Sequence, residues 1–145
     1  MPTHAEKKHL SYSAKEMFDL VADIERYPEF LPWCVGTRIK SRDGDEISAD
    51  MVIGYKMFRE KFSSKIVLSE PDRIDVAYTK GPFKYLNNHW IFLPDGAGEC
   101  DIDFFVDFEF RSKLLQKLIG VVFNEAVKIM VQSFVNRAEI IYGKR

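Results

Sequence analysis

The side chains able to do nucleophilic or metal chemistry in this sequence are few and scattered. Cys34 and Cys100 are its two cysteines, and their spacing is not that of metal ligands. Cys34 follows Trp33 and could be imagined as a nucleophile, but no histidine or carboxylate stands in a recognisable relation to it. We therefore interpret Cys34 as a small buried apolar residue. A disulfide between the two cysteines is not expected, because no export signal is recognisable.

Neither the histidines nor any known catalytic motif indicates a catalytic or metal site. His4 and His9 are an odd number of positions apart, so they would lie on opposite faces of a strand, and His89 is remote in sequence from both. The sequence contains no G-x-S-x-G, no phosphate-binding loop and no H-E-x-x-H. It predicts no catalytic residues, no metal site and no cofactor.

Aromatic side chains are abundant instead. The 145 residues include twelve Phe, six Tyr and two Trp, which make up 14% of the chain. Many of them fall on the inward positions of predicted strands or on the apolar side of the last helix. The residues alone leave two interpretations open, namely a well-filled core and a cavity lined for an apolar ligand.

An unusually apolar connection follows the first predicted helix. Residues 27–34 read Y-P-E-F-L-P-W-C, and we call this segment the flap. Pro28 and Pro32 restrict the backbone on both sides of Phe30 and Leu31, so the flap should be stiff. Either it plugs the end of the packed layers, or it lies at the mouth of a cavity and contacts a ligand or a lipid surface.

Alternating apolar and polar residues predict an antiparallel sheet with one covered face. In residues 99–110, for example, Ile102, Phe104 and Val106 alternate with acidic residues. Tight-turn signals such as D-G at 43–44 and G-P at 81–82 separate the runs, which favours a meander of neighbouring strands. The predicted strands are 4–10, 35–40, 46–55, 61–68, 73–79, 86–93 and 99–110.

Two helices complete the predicted fold. Ser13 and Glu16 form a capping box ahead of a short helix. From Leu114 to Tyr142 apolar residues recur every three or four positions without a break, which predicts one helix about 40–45 Å long. We expect an α+β fold of one domain, residues 1–145, in which a curved antiparallel sheet wraps around the long C-terminal helix. Such a sheet cannot touch a straight helix everywhere, so we expect a void of a few hundred Å³, the scale of ligand sites.

Net charge and hydropathy limit which binding partners and which cellular location we expect. The formal net charge is −1, with 21 basic and 22 acidic residues, so the electrostatic footprint of a nucleic-acid-binding protein is missing and DNA is not an expected partner. The N-terminal residues resemble neither a signal peptide nor a transit peptide, and no apolar run is long enough to cross a bilayer. We expect a cytoplasmic protein, with peripheral contact at the inner face of the plasma membrane left open.

A series of motifs covers essentially the whole chain in order: Y-P-E-F-L-P-W-C at 27–34, G-P-F-K-Y-L at 81–86, I-D-F at 102–104, F-E-F-R-S at 108–112 and F-V-N-R-A at 134–138. This series resembles the coenzyme Q-binding branch of the START-like (polyketide cyclase/dehydrase) superfamily. The resemblance implies a helix-grip fold and a hydrophobic tunnel that carries ubiquinone or another polyprenyl lipid in support of respiration, without catalysis. Bacterial relatives in this branch are described as ribosome-association toxins, and the motifs do not separate the two roles.

The resemblance and the inward pattern together suggest which residues contact the ligand. Lys80 and Lys84 flank a turn near the expected mouth and could meet anionic lipid head groups. The mouth would be formed in part by Tyr27, Phe30, Leu31 and Trp33, together with Phe83, Tyr85 and Leu86. The rest of the ligand site would be formed by Met51, Ile53, Tyr55, Phe62, Trp90, Phe104, Val106, Phe123, Val127, Met130 and Phe134.

Two other functions stay open. A cyclase or aromatase could use Tyr55, Tyr78, Asn88 or Arg137 to orient an oxygenated substrate, but the inward positions offer almost no carboxylate for acid and base catalysis. A protein that blocks the joining of ribosomal subunits would need a basic surface stripe, which the bulk charge does not indicate.

Overall fold

The computed structural model describes residues 3–31, 33–55, 57–96 and 98–145. The described residues form one seven-stranded antiparallel sheet with the strand order β1-β7-β6-β5-β4-β3-β2. The strands are β1 (Thr3–Leu10), β2 (Cys34–Asp43), β3 (Glu46–Tyr55), β4 (Phe58–Ser69), β5 (Arg73–Lys80), β6 (Phe83–Pro94) and β7 (Cys100–Phe110). The α+β class and the predicted order of strands are confirmed.

The alternation seen in the sequence is the reason for the one-sided sheet. Along β7 every second residue is buried, from Cys100 to Phe110, and the residues between them are partly exposed. Irregular register next to Gly36 and Ser41 in β2, at Thr79 in β5 and next to Tyr85 in β6 interrupts the ladders. Such bulges bend and twist a sheet, so they help to produce the concave face against which the helices pack.

The first helix, α1 (Ala14–Ala22), begins as predicted. The Ser13 hydroxyl accepts the backbone N–H of Glu16 at 3.0 Å, and the Glu16 carboxylate accepts that of Ser13 at 2.9 Å, which completes the capping box. Met17, Phe18 and Val21 are buried in the core. A 3₁₀ helix (Ile24–Glu29) then leads into the flap.

The predicted single C-terminal helix is wrong in one respect, because the structure divides it into three helices. These are α2 (Lys113–Leu118), α3 (Gly120–Lys128) and α4 (Met130–Tyr142), with breaks at Ile119 and Ile129. At the first break Gly120 favours a helix end, since glycine has low helix propensity. The Gln116 side chain also approaches Gly120 closely and accepts the backbone N–H of Phe110 at 3.1 Å. At the second break the Ile129 N–H bonds to Ala126 three residues back, a tight 3₁₀ turn.

The core lies between the concave face of the sheet and the helices α1, α3 and α4. The apolar side of the C-terminal segment remains continuous across the breaks, because Phe123, Val127, Val131 and Phe134 are all buried. The Tyr142 hydroxyl donates to the Glu16 carbonyl at 2.9 Å and so ties the end of α4 to α1. Among the described residues no helix combines the length and the apolar character needed to cross a bilayer.

Candidate ligand cavity

A cavity of about 80 Å³ lies between the sheet and the helices. Its floor is formed by inward residues of β3 to β7, and its roof by α1, the flap, α3 and α4. The lining consists of Val21, Ile24, Tyr27, Leu31, Trp33, Met51, Phe62, Ser64, Ile66, Ile74, Val76, Leu86, Asn88, Trp90, Val106, Phe123, Val127, Met130 and Phe134. Apart from Ser64 and Asn88, these side chains are aliphatic or aromatic, so the cavity suits an apolar group.

Most of the sequence-predicted site residues lie in this lining. The structure brings together Tyr27, Leu31, Trp33, Met51, Phe62, Leu86, Trp90, Val106, Phe123, Val127, Met130 and Phe134. Ile53 lies instead in a smaller neighbouring cavity, which it shares with Trp33 and Phe123. Phe30, Phe83 and Phe104 are not part of either lining. The side chain of Tyr55 lies outside the described part of the structure.

The predicted mouth is corrected by the burial of its residues. Leu31 is 1% exposed, Phe83 is not exposed at all, and Leu86 is 8% exposed, so these three side chains are core residues. Phe83 is buried because it stacks on Phe110 at 4.7 Å and meets Phe62 edge-on at 5.4 Å. An apolar opening formed by these residues is therefore absent from the described structure.

The flap is held firmly against α4. The rings of Tyr27 and Phe30 meet the Phe134 ring edge-on at 5.3 and 5.1 Å. The Arg137 guanidinium lies over the Phe30 ring at 5.2 Å and donates to the Glu29 carboxylate at 2.6 Å. The Phe30 side chain thus packs from the flap onto Phe134 and Arg137 of α4. It does not line the cavity. The Tyr27 hydroxyl donates to the Val21 carbonyl, and its burial raises the pKa of Tyr27 well above the usual range.

The cavity is smaller than the predicted few hundred Å³. The reason is the close packing of aromatic rings in the space between the layers. The Trp90 ring lies 4.5 Å from Phe104 and 5.0 Å from Phe134, and Phe123 lies 4.8 Å from Phe108. These rings use the room that a strongly bent sheet would otherwise leave.

Three polar groups stand out in the apolar lining. The Asn88 side-chain N–H₂ donates to the Phe105 carbonyl at 2.9 Å, which leaves its carbonyl oxygen as an acceptor. Ser64 is buried and adds a hydroxyl. The indole N–H of Trp33 is buried without a hydrogen-bond partner among the described residues. An unpaired buried donor is costly and rare, which makes Trp33 a candidate for contact with an oxygen atom of a ligand.

Several lining residues were missed by sequence reasoning about the site. Val21 and Ile24 belong to α1 and the 3₁₀ helix, and nothing in their spacing indicates that they reach a cavity. Ile66, Ile74 and Val76 have the inward parity of their strands, and that signal could have found them.

The reactive side chains considered in the sequence lie elsewhere. Cys34 is buried as predicted, and burial raises the pKa of its thiol to about 11, which opposes nucleophilic reactivity. His9 lies at the sheet surface, where its ring nitrogens are 2.7 Å from Asp101, 2.6 Å from Glu99 and 3.2 Å from Asp95. Hydrogen bonds to Asp101 and Glu99 raise the pKa of His9.

The comparison with known proteins agrees with this geometry. The family model for polyketide cyclase/dehydrase and lipid transport proteins matches residues 10–135, and the chain belongs to this family of the START-like superfamily. A solved START superfamily protein from Mycobacterium smegmatis superposes with a TM-score of 0.78 over 96% of this chain and 98% of its own, at 18% identity. That likeness shows the fold alone.

Two curated relatives carry different names. The ribosome association toxin RatA of Rickettsia prowazekii (strain Madrid E) is 40% identical over 136 residues, which cover 91% of this chain and 92% of that protein. The mitochondrial coenzyme Q-binding protein COQ10 homolog B of Xenopus laevis is 34% identical over 146 residues, which cover 98% of this chain and 60% of that protein. The predicted membership in the START-like superfamily is thus confirmed. The prediction that relatives include both coenzyme Q-binding proteins and ribosome association toxins is confirmed as well.

Proposed function

We propose that this protein binds a polyprenyl quinone such as ubiquinone in the cavity and carries it unaltered in support of respiratory electron transport. The apolar lining carries the proposal, because an isoprenoid tail is apolar throughout and the quinone ring needs only a few polar partners. Ser64, Asn88 and the Trp33 indole N–H are suitable partners for ring oxygens. The Xenopus relative, whose name states coenzyme Q binding, supports this choice of ligand.

Binding a long tail requires the cavity to widen. Its volume of about 80 Å³ lies below the roughly 300–1,000 Å³ of ordinary ligand sites. We propose that α3 is the wall that moves, because breaks at Ile119 and Ile129 separate it from α2 and α4. Phe123 and Val127 of α3 face the cavity, so an outward shift of this helix adds room beside them.

The same lining favours binding over catalysis in this proposal. Acid and base catalysis needs titratable groups within hydrogen-bond reach of the substrate. Among the described residues, the cavity lining includes no Asp, Glu, His, Lys or Arg. We propose a cytoplasmic location for the protein. Because a polyprenyl quinone resides in a bilayer, the protein would also make transient contact with the inner face of the plasma membrane.

Tryptophan fluorescence gives a direct test of binding in this cavity. Both tryptophans of the chain, Trp33 and Trp90, line the cavity, so a quinone ring that enters should quench most of the emission. Affinity should rise by roughly tenfold or more for each added prenyl unit while the tail remains buried, since each CH₂ contributes about 0.8 kcal/mol.

Matched variants locate the site. Val76→Phe should fill the cavity and weaken quinone binding at least tenfold, whereas Val67→Phe on the exposed face of the neighbouring strand should not. Thermal melts of both variants show whether they fold. Two results together contradict the proposal. Quenching would not depend on tail length, and the folded Val76→Phe variant would be quenched as strongly as the unaltered protein. Recovery of a chemically altered quinone would favour the enzyme alternative.

Association with ribosomal subunits is the second candidate function. The name of the Rickettsia relative favours it, and so does a local group of cations on the outer face of β2 and β4. Arg38, Lys40, Lys61 and Lys65 are exposed there. Lys40 pairs with the buried carboxylate of Asp50 at 3.2 Å, and Lys65 lies 3.7 Å from Glu46. Sedimentation with purified subunits tests this function, and Lys61→Glu with Lys65→Glu should abolish it. Failure of the unaltered protein to co-sediment or to reduce subunit joining contradicts it.

A further inference from the structure

Exposed apolar side chains gather at one end of the molecule, where the hairpin joining β3 to β4 meets α2 and the start of α3. Met57 next to the hairpin turn is 95% exposed, Val121 is 68% exposed and Leu114 is 65% exposed. We call this group the apolar end, and its members are Val35, Met57, Phe58, Leu114, Leu118 and Val121. They are six of the eleven large apolar side chains that the described residues leave exposed. A cluster of this kind marks an interaction site more often than chance exposure.

The packing beneath the apolar end connects its parts. Phe58 lines the smaller cavity together with Ile119 and Val122, so the hairpin lies against the junction of α2 and α3. Val35 is close to the same hairpin, because a Cβ atom at Gly54 would lie 2.7 Å from its Cγ2.

Helix α2 contributes a surface element rather than a core element. None of its residues is buried. Leu114 and Leu118 are four positions apart, so they share one side of α2, and Val121 follows the break in the first turn of α3. Lys113 and Lys117 stand beside them with the same spacing of four. A helix with adjacent leucine and lysine rows is suited to the boundary between water and lipid.

The charge around the apolar end is predominantly positive. Residues 57–59 and 111–121 contain Arg59, Arg111, Lys113 and Lys117, and one carboxylate, Glu60, lies next to them in a surface pocket that it shares with Arg111. No ion pair involving Lys113 or Lys117 is found within the described ranges. A partner of negative charge and apolar interior therefore fits this surface.

We infer that the apolar end docks on a bilayer containing anionic lipids. The exposed apolar side chains enter the boundary of the acyl chains, and Arg111, Lys113 and Lys117 meet the phosphate groups. A nucleic acid matches the cations, but Phe58 is the one aromatic member of the apolar end, so this surface offers little for base stacking. The docking surface thus differs from the flap mouth expected from the sequence.

This surface also adjoins the main cavity. Trp33 and Phe123 line both the main cavity and the smaller cavity beneath the apolar end. A lipid leaving the bilayer would pass between the hairpin and α3 to reach the main cavity. The inference deepens the proposed function by naming where the carrier meets the membrane, but docking itself requires no quinone.

Sedimentation of the full chain with quinone-free vesicles tests the docking surface. Vesicles of phosphatidylcholine with about one third phosphatidylglycerol should bind the protein on the order of tenfold more tightly than phosphatidylcholine alone, and added salt should reduce the difference. Lys113→Gln with Lys117→Gln should weaken binding on the order of tenfold. Lys7→Gln with Lys144→Gln changes the net charge equally at other places and should leave binding unchanged.

The apolar contribution has its own matched pair. Met57→Ser with Val121→Ser should weaken binding, whereas Leu93→Ser with Ile140→Ser, which removes exposed side chains away from the apolar end, should not. Equal binding to both kinds of vesicle, or equal losses in test and control variants, would overturn the inference. The inference would also be overturned if these residues were needed for a dimer or for an RNA complex and the protein did not bind vesicles. If the unaltered protein binds vesicles but quinone does not quench its tryptophan fluorescence, the proposed function is refuted and the docking surface is still supported.

Discussion

Glu16 joins the start of α1 to the end of the chain through its carboxylate. The oxygens accept two N–H groups of Arg145 at 2.6 and 2.8 Å in addition to the backbone N–H of Ser13. The hydrogen bonds from Arg145 lower the pKa of Glu16 to about 2, against an ordinary value of 4.5. Because the folded pKa lies below the ordinary one, the interaction stabilises the fold above pH 4.5 and is lost as the pH falls towards 2.

Replacing Arg145 by alanine should therefore raise the pKa of Glu16 and reduce stability near neutral pH more than at pH 2. Urea unfolding at several pH values measures the difference, with Lys144→Ala as the control for loss of a C-terminal cation. A stability difference that is the same at pH 2 and pH 7 would show that the ion pair does not contribute as described.

The Trp33 indole N–H supports a second prediction for a single residue. Trp33→Phe keeps an aromatic ring next to Phe123, at 5.9 Å from Trp33 in the structure, and removes the unpaired donor together with part of the indole ring. If this donor meets a quinone oxygen, affinity for a short-tailed quinone should fall by roughly three- to tenfold. Affinity for a prenyl hydrocarbon of equal length should fall less, because it loses only the ring contacts, and calorimetry compares the two. Equal losses for both compounds would assign Trp33 to packing alone.

Sequence reasoning identified most of the lining because the parity of a strand determines which side chains face the helices. Met51, Phe62 and Val106 reach the cavity for this reason. Parity does not show which inward residue is covered by its neighbours. Phe104 has the same parity as Val106, but the Trp90 ring lies 4.5 Å from it and it does not line the cavity.

At the scale of secondary-structure elements, the strands, the capping box and α1 were predictable, and the divided C-terminal helix was not. The apolar periodicity runs through Ile119 and Ile129 unchanged, so it gives no signal of either break. The breaks depend on Gly120 and on local contacts that periodicity does not report, such as the hydrogen bond that the Phe110 N–H donates to Gln116 at 3.1 Å and the bond from the Ile129 N–H to Ala126. The flap was recognised as stiff and apolar, but only its contacts with Phe134 and Arg137 show that it is fastened to α4.

Removing the Phe30 ring should loosen the flap without changing the cavity lining. Phe30→Ala loses the contacts with Phe134 and Arg137, and should destabilise the protein by less than the roughly 3–5 kcal/mol typical of a fully buried phenylalanine. Hydrogen exchange should rise at the Leu31 amide, which bonds to the Tyr27 carbonyl at 2.9 Å, and stay unchanged in the centre of β7. Uniform exchange changes along the chain would contradict a local fastening role.

At the scale of the whole molecule, the fold class follows from composition and periodicity, whereas the volume of the cavity does not. The number of aromatic residues is the same whether their rings fill the space or border it. The rotamers and ring contacts decide this, and here they leave about 80 Å³. The distribution of charge was equally hidden, since a net charge of −1 is compatible with a cationic apolar end.

The most direct measurement of the central claim is mass spectrometry of the lipids that co-purify with the protein from bacterial membranes. The account predicts an unaltered polyprenyl quinone, bound at close to one per folded molecule, and its loss in the cavity-filling variant Val76→Phe. Val67→Phe should retain it. A purified, folded protein that carries no prenyl lipid and takes none up from quinone-loaded vesicles would contradict the account.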